Sequence, residues 1–179
     1  MSIPNALSLF RICLVPVFPL VYFSGIPHAN LWAAAVYAVA AATDILDGML
    51  ARRLNMVTRL GRLLDPLADK LMGAAVIVCV AVSHPFLWWA AGLFCLKEAA
   101  MGIGTLIQYK KISDVPPSEL FGKLAVSFFF ASCLFILVFQ DVMAQPVMQG
   151  LMGAAMAVSV AALVRYLIRF LRLMGKDRE

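Results

Sequence analysis

Four aspartates in one short region are the residues here most capable of chemistry. The chain reads Thr43-Asp44-Ile45-Leu46-Asp47-Gly48-Met49-Leu50-Ala51-Arg52 and, eight residues later, Gly61-Arg62-Leu63-Leu64-Asp65-Pro66-Leu67-Ala68-Asp69-Lys70. Asp44 and Asp47 are three apart and Asp65 and Asp69 four apart, so on helices each pair shares a face. Two antiparallel helices would aim all four carboxylates into one volume. Charges inside a membrane segment are costly unless compensated, and four of one sign repel strongly at close range. Hard divalent cations are the natural remedy. Oxygen-only ligands with no His or Cys beside them favour Mg²⁺ or Mn²⁺ over zinc. Two such ions about 3.5–4 Å apart suit phosphoryl-type transfer, where charge on bridging oxygens must be neutralised. Gly48 and Gly61 remove side chains where a ligand or a neighbouring helix would approach closely. Arg52 supplies a permanent fork-shaped donor for a phosphate. Salt bridges to Arg52, Arg53, Arg62 and Lys70 would account for one or two of the acids, but not for four converging ones with glycines between them.

The elements that must position these acids follow from composition. The 179 residues are 63% hydrophobic with a mean hydropathy of +0.91, against the roughly 45–50% apolar fraction of soluble domains. Stretches near 6–24, 30–49, 66–83, 86–108, 119–141 and 147–170 are each long enough to cross a hydrocarbon layer about 30 Å thick. The predicted fold is an all-α integral membrane bundle of six transmembrane helices, one domain over 1–179. Ser2-Ile3-Pro4-Asn5 is expected to begin a short interfacial segment, with Arg11 at headgroup depth. The first apolar run has no convincing small-residue cleavage site and is read as retained.

The turns near 25–30, 84–86 and 141–147 contain no Lys or Arg. The alternate connections carry Arg52, Arg53, Arg59 and Arg62, then Lys110 and Lys111, and finally Arg172, Lys176 and Arg178. The positive-inside rule therefore predicts both termini and the 50–65 and 109–118 connections on the cytoplasmic side of the cell (inner or plasma) membrane. The acids then lie at the cytoplasmic end of the second and third spans. Topology and anionic headgroups explain the net charge of +5 better than nucleic acid does. Short outer turns predict that consecutive helices are antiparallel neighbours. Cys13, Cys79, Cys95 and Cys133 fall inside apolar segments without C-x-x-C pairing and read as buried small hydrophobes. His28 and His84 fall at outer turns, away from the acids.

The pattern D-x2-D-G-x2-A-R-x8-G-x3-D-x3-D is complete from Asp44 to Asp69. With eight fixed positions, a chance match is on the order of one in a billion per starting position. The chain resembles the CDP-alcohol phosphatidyltransferase family in this signature, in length and in its six-span plan. The resemblance implies transfer of a phosphatidyl group from CDP-diacylglycerol to a small alcohol, with CMP leaving and no covalent enzyme intermediate. It implies that Asp44, Asp47 and Asp65 ligate two divalent ions. Asp69 would contribute to the second ion and act as general base on the attacking hydroxyl. Gly48, Ala51 and Arg52, with Asn5 and Gly61, would hold the CDP moiety, and a homodimer is implied, with Gly73, Ala74 and Ala75 available for close helix contact.

Ile3-Pro4-Asn5-Ala6-Leu7-Ser8-Leu9-Phe10-Arg11 and Leu64-Asp65-Pro66-Leu67-Ala68-Asp69-Lys70 resemble the branch of that family whose acceptor is glycerol 3-phosphate. Lys97-Glu98 stands where that branch usually has Arg-Glu, and Thr105 where it usually has Arg; Phe121-Gly122-Lys123 resembles its Gly-Lys. A phosphorylated acceptor needs cationic partners, and Lys97, Lys123, Arg165 and Arg169 are the candidates. Lys97, near mid-membrane by count, must be paired, while Glu98 next to it points about 100° away on an ideal helix. Arg165, Arg169 and Arg172 form one helical stripe that could equally snorkel to lipid phosphates. Rival acceptors are phosphatidylglycerol, giving cardiolipin, and inositol phosphate. A divalent-metal transporter would spread its acids over several depths, unlike this cluster, and a non-catalytic scaffold would tolerate Asp69→Asn.

Overall fold

A computed structural model describes residues 3–54, 61–111 and 120–176, with side chains for 6–44, 46, 67–103 and 121–168. All described elements are helical: α1 Ile3–Tyr22, α2 Ala29–Leu54, α3 Gly61–Ser83, a 3-10 turn Pro85–Leu87, α4 Trp88–Lys111, α5 Leu120–Phe139 and α6 Gln145–Lys176. Within them, Pro85–Ile103, Phe121–Phe139 and Gln145–Ile168 are long and apolar enough to cross a membrane, and Ala6–Tyr22 is a shorter apolar stretch. Leu20, Leu96 and Leu124 expose well over half of their surface, as side chains facing lipid rather than water would.

Helix α1 runs unbroken from Ile3, so Ile3-Pro4-Asn5 form its first turn. Pro4 explains this: near a helix start its missing N–H costs nothing. Pro16 and Pro19 lie inside the same helix, where each removes a backbone donor. Such breaks are tolerated in membrane helices when neighbours compensate. The α1–α2 turn uses two left-handed residues, Gly25 at φ 70° and His28 at φ 57°. The His28 carbonyl then accepts from the N–H groups of Leu31 and Trp32, opening α2.

The helices joined by short outer turns, α1 with α2, α3 with α4 and α5 with α6, pack on one another as expected. α1 also packs extensively on α3, whereas among the described residues α2 and α3 touch each other little. α4 lies against α3 and α6 and α5 against α6 and α2, and among the described residues α4 and α5 barely meet. What joins α4 to α5 is a stacked Phe94–Phe129 pair with ring centroids 4.9 Å apart. Gly73 of α3 lies against this stack; a Cβ there would sit 2.9 Å from Phe94 Cζ. Gly73 is therefore used inside the subunit, and not as the dimer-facing small residue expected of it. The core is completed by Phe18, Tyr37, Val76, Ile77, Ile136, Met152 and their neighbours.

Polar side chains gather at the two ends of this bundle. At the end carrying the α1–α2, α3–α4 and α5–α6 turns, Tyr22 donates to Gln140 at 2.9 Å and Asn30 to Asp141 at 2.7 Å. His84 Nε2 lies 3.1 Å from the same Gln140 oxygen. The opposite part carries the acids. Cys79 and Cys133 are buried as expected, but Cys13 and Cys95 are exposed and all four are free. An apolar run does not say which face of its helix a residue occupies, and these two lie on outward faces.

Candidate active site

Three helices converge on one nitrogen atom. Arg11 of α1 extends a side chain that is only 2% exposed, and its Nη1 lies 2.7 Å from Asp44 Oδ1 of α2 and 2.6 Å from Asp69 Oδ1 of α3. The two carboxylates are 43% and 45% exposed, so one side of each remains open. α1 provides this geometry because it packs on both acid-bearing helices. A charge-assisted pair of such short contacts is strong where water is excluded.

Beside the acids opens a cavity of about 460 Å³, lined by Arg11, Asp44, Asp69, Lys70, Lys97 and Glu98 at its polar part and by Tyr37, Met72, Phe94, Phe129 and Phe130 at its apolar part. Lys97, buried on α4, places Nζ 2.6 Å from Glu98 Oε1 and 5.1 Å from the centre of the Phe94 ring. Lys70 of α3 reaches the other Glu98 oxygen at 3.3 Å. Glu98 thus joins two ammonium groups on one wall. The expectation that Glu98 points away from Lys97 is corrected: the 100° separation applies to Cβ directions, and two long side chains bend across it.

Of the residues singled out from the sequence, Asp44, Asp69 and Lys97 share this cavity. Lys123 is exposed and outside it, and Arg165 stacks its guanidinium 4.2 Å from the Phe121 ring centre instead. The side chains of Asn5, Asp47, Gly48, Ala51, Arg52, Gly61, Asp65 and Arg169 lie outside the described residues, although all eight positions fall within helices. His28 and His84 line a separate cavity with Asn30, Gln140 and Asp141 at the other end, as their positions at outer turns predict.

Arg11 is the residue the sequence reading missed, having been assigned to headgroup depth. The signal was present: an arginine within the apolar run 6–24 needs a counter-charge, and unclaimed acids stood on the next two spans. Glu98 was legible only as the neighbour of Lys97.

The donor set fits a hard divalent cation. Two carboxylates from different helices come within contact distance of a single point and keep an open side toward the polar part of the cavity, with no imidazole or thiolate among the described residues that line it. Among the described residues no group of three ligating side chains assembles; Asp47 and Asp65 are the further carboxylates on the same two helices.

The sequence matches known proteins. Over residues 1–164 the chain matches the CDP-alcohol phosphatidyltransferase family, and it belongs to that family. Its similarity to individual members is substantial. It is 46% identical over 88 residues to the CDP-diacylglycerol–glycerol-3-phosphate 3-phosphatidyltransferase of Pseudomonas fluorescens, covering 49% of this chain and 45% of that protein. To the protein of the same name from Escherichia coli K12 it is again 46% identical over 88 residues, covering 49% of this chain and 48% of that one. The chain thus spans about half the length of the curated relatives it matches.

Proposed function

We propose that this protein transfers the phosphatidyl group of CDP-diacylglycerol to glycerol 3-phosphate and releases CMP, the reaction of a phosphatidylglycerophosphate synthase. The observation that carries this reading is the convergence of Asp44 and Asp69 at a cavity that Lys70 and Lys97 also line. Family membership and the names of the relatives support the same chemistry.

In this reading Asp44, Asp47, Asp65 and Asp69 hold two divalent cations, Mg²⁺ or Mn²⁺. Bound there, such ions would neutralise charge on the diphosphate and on the departing CMP. Asn5, Gly48, Ala51, Arg52 and Gly61 hold the CDP part. Asp69 accepts the proton of the acceptor hydroxyl as that oxygen attacks the phosphatidyl phosphorus. The bond from that phosphorus to the CMP oxygen breaks, and CMP leaves with the electron pair. A carboxylate is a weak base, so positioning of the hydroxyl matters more than basicity. Lys97 is the acceptor-phosphate partner with the best support, because it lines the cavity. Lys123 and Arg165 would act there only if their helix ends approach it, and Arg169 is the further candidate on α6.

The protein as we read it has six spans with both termini cytoplasmic, forms one domain over 1–179, and works as a homodimer in the inner or plasma membrane. α2 and α3, with 26 and 23 residues, are long enough to count among the spans at ~1.5 Å per residue. The test is to supply purified protein with CDP-diacylglycerol and Mg²⁺ and with glycerol 3-phosphate, phosphatidylglycerol or inositol phosphate in turn. CMP release with glycerol 3-phosphate alone is expected. Release with a different acceptor would reassign the substrate, and release with none would refute the enzyme reading.

A further inference from the structure

We infer that Arg11 is a positioning residue that holds Asp44 and Asp69 together and competes with a divalent cation for them. This rests on the reading of the two aspartates as cation ligands. Arg11 Nη1 lies 2.7 Å from Asp44 Oδ1 and 2.6 Å from Asp69 Oδ1. A hard divalent cation takes carboxylate oxygens at about 2.0–2.6 Å. An ion held by those same two oxygens would therefore lie within a few ångströms of the guanidinium nitrogen, where two positive centres repel strongly and compete for the same lone pairs. One of them must move.

The arginine is anchored on α1 with 2% of its side chain exposed, while the two acids keep nearly half of their surface exposed, and all three line the cavity. A cation entering through the cavity meets the exposed part of the acids and displaces the Nη1 contact. The arginine also does what the cation would do for the fold. α2 and α3 touch each other little, and like charges on them repel, so the guanidinium ties both to α1. Arg11 thus sets two quantities in opposite directions: stability of the cation-free protein rises with it, and cation affinity falls.

The experiment uses the full chain in detergent micelles and Mn²⁺ alone as probe, with no lipid substrate. Bound Mn²⁺ is counted from the loss of the free-ion paramagnetic resonance signal, and thermal unfolding is followed with and without Mn²⁺. Arg11→Gln is expected to bind Mn²⁺ more tightly by about tenfold or more, equivalent to ~1.4 kcal/mol. It should unfold at lower temperature without the ion and gain more from it than the unmodified protein does. A residue that merely packs would lower the unfolding temperature and leave affinity unchanged; equal or weaker binding by Arg11→Gln overturns the inference. If Arg11→Gln does not fold, the unmodified protein still decides. Its ¹⁵N-arginine side-chain resonance, assigned by its loss in Arg11→Lys, must move on saturation with diamagnetic Mg²⁺. A resonance that stays in place overturns the competition. Absence of Mn²⁺ binding in both proteins would instead sink the cation-ligand reading, and this inference with it.

Discussion

The two ends of the bundle hold polar groups in opposite ways. At the turn-rich end, Tyr22, Asn30, His84, Gln140 and Asp141 are largely neutral partners joined one to another across α1, α2, α3 and α5. At the acid end, Arg11, Asp44, Asp69, Lys70, Lys97 and Glu98 are all charged, and single groups serve two partners: one nitrogen holds two carboxylates, and one carboxylate holds two ammoniums. A neutral clasp satisfies hydrogen bonds and closes the fold. A shared-charge cluster next to a cavity can exchange partners, since a newly arriving ion or phosphate finds charged groups already gathered and aimed. In the proposed function the first end serves stability and the second turnover.

Substitutions should separate the two. The largest effect is expected from Asp44→Asn and Asp69→Asn, each lowering the rate of CMP release by about a thousandfold or more while the protein still folds by circular dichroism. Chelation with EDTA should abolish activity and added Mg²⁺ restore it, measured on the same protein without refolding. Next in size, Lys97→Met should raise KM for glycerol 3-phosphate by about tenfold to a hundredfold, the worth of one lost charge-assisted hydrogen bond, with a smaller change in kcat. Gly73→Val would push its side chain into the Phe94–Phe129 stack and should lower stability by about 1–3 kcal/mol, read as a drop in Tm. The smallest effect belongs to the neutral end. Gln140→Ala removes the acceptor shared by Tyr22 and His84 and should lower stability by about 1 kcal/mol with turnover unchanged. Loss of turnover in Gln140→Ala would erase the distinction between the ends.

The helices were legible because each is an apolar run bounded by turn residues, and those signals are local. The acids of the candidate site were legible because Asp44 and Asp69 belong to a fixed spacing. What the sequence did not reveal is which helices touch. The pairs joined by short outer turns do pack as expected, but among the described residues α1 also packs on α3, and α5 on α2, which no local signal announces. Arg11 was misplaced for the same reason: its role depends on a packing partner, and local periodicity carries no record of partners. Gly73 shows the converse, since a small residue on a membrane helix suits a subunit interface as well as the internal Phe94 contact that it makes.

The most direct measurement is CMP release from CDP-diacylglycerol by the unmodified protein and by Asp69→Asn, side by side, with Mg²⁺ and glycerol 3-phosphate. The account predicts release with formation of the phosphatidylated acceptor by the first and almost none by the second at equal folded concentration. Equal release by the two, or none by the unmodified protein, would contradict it.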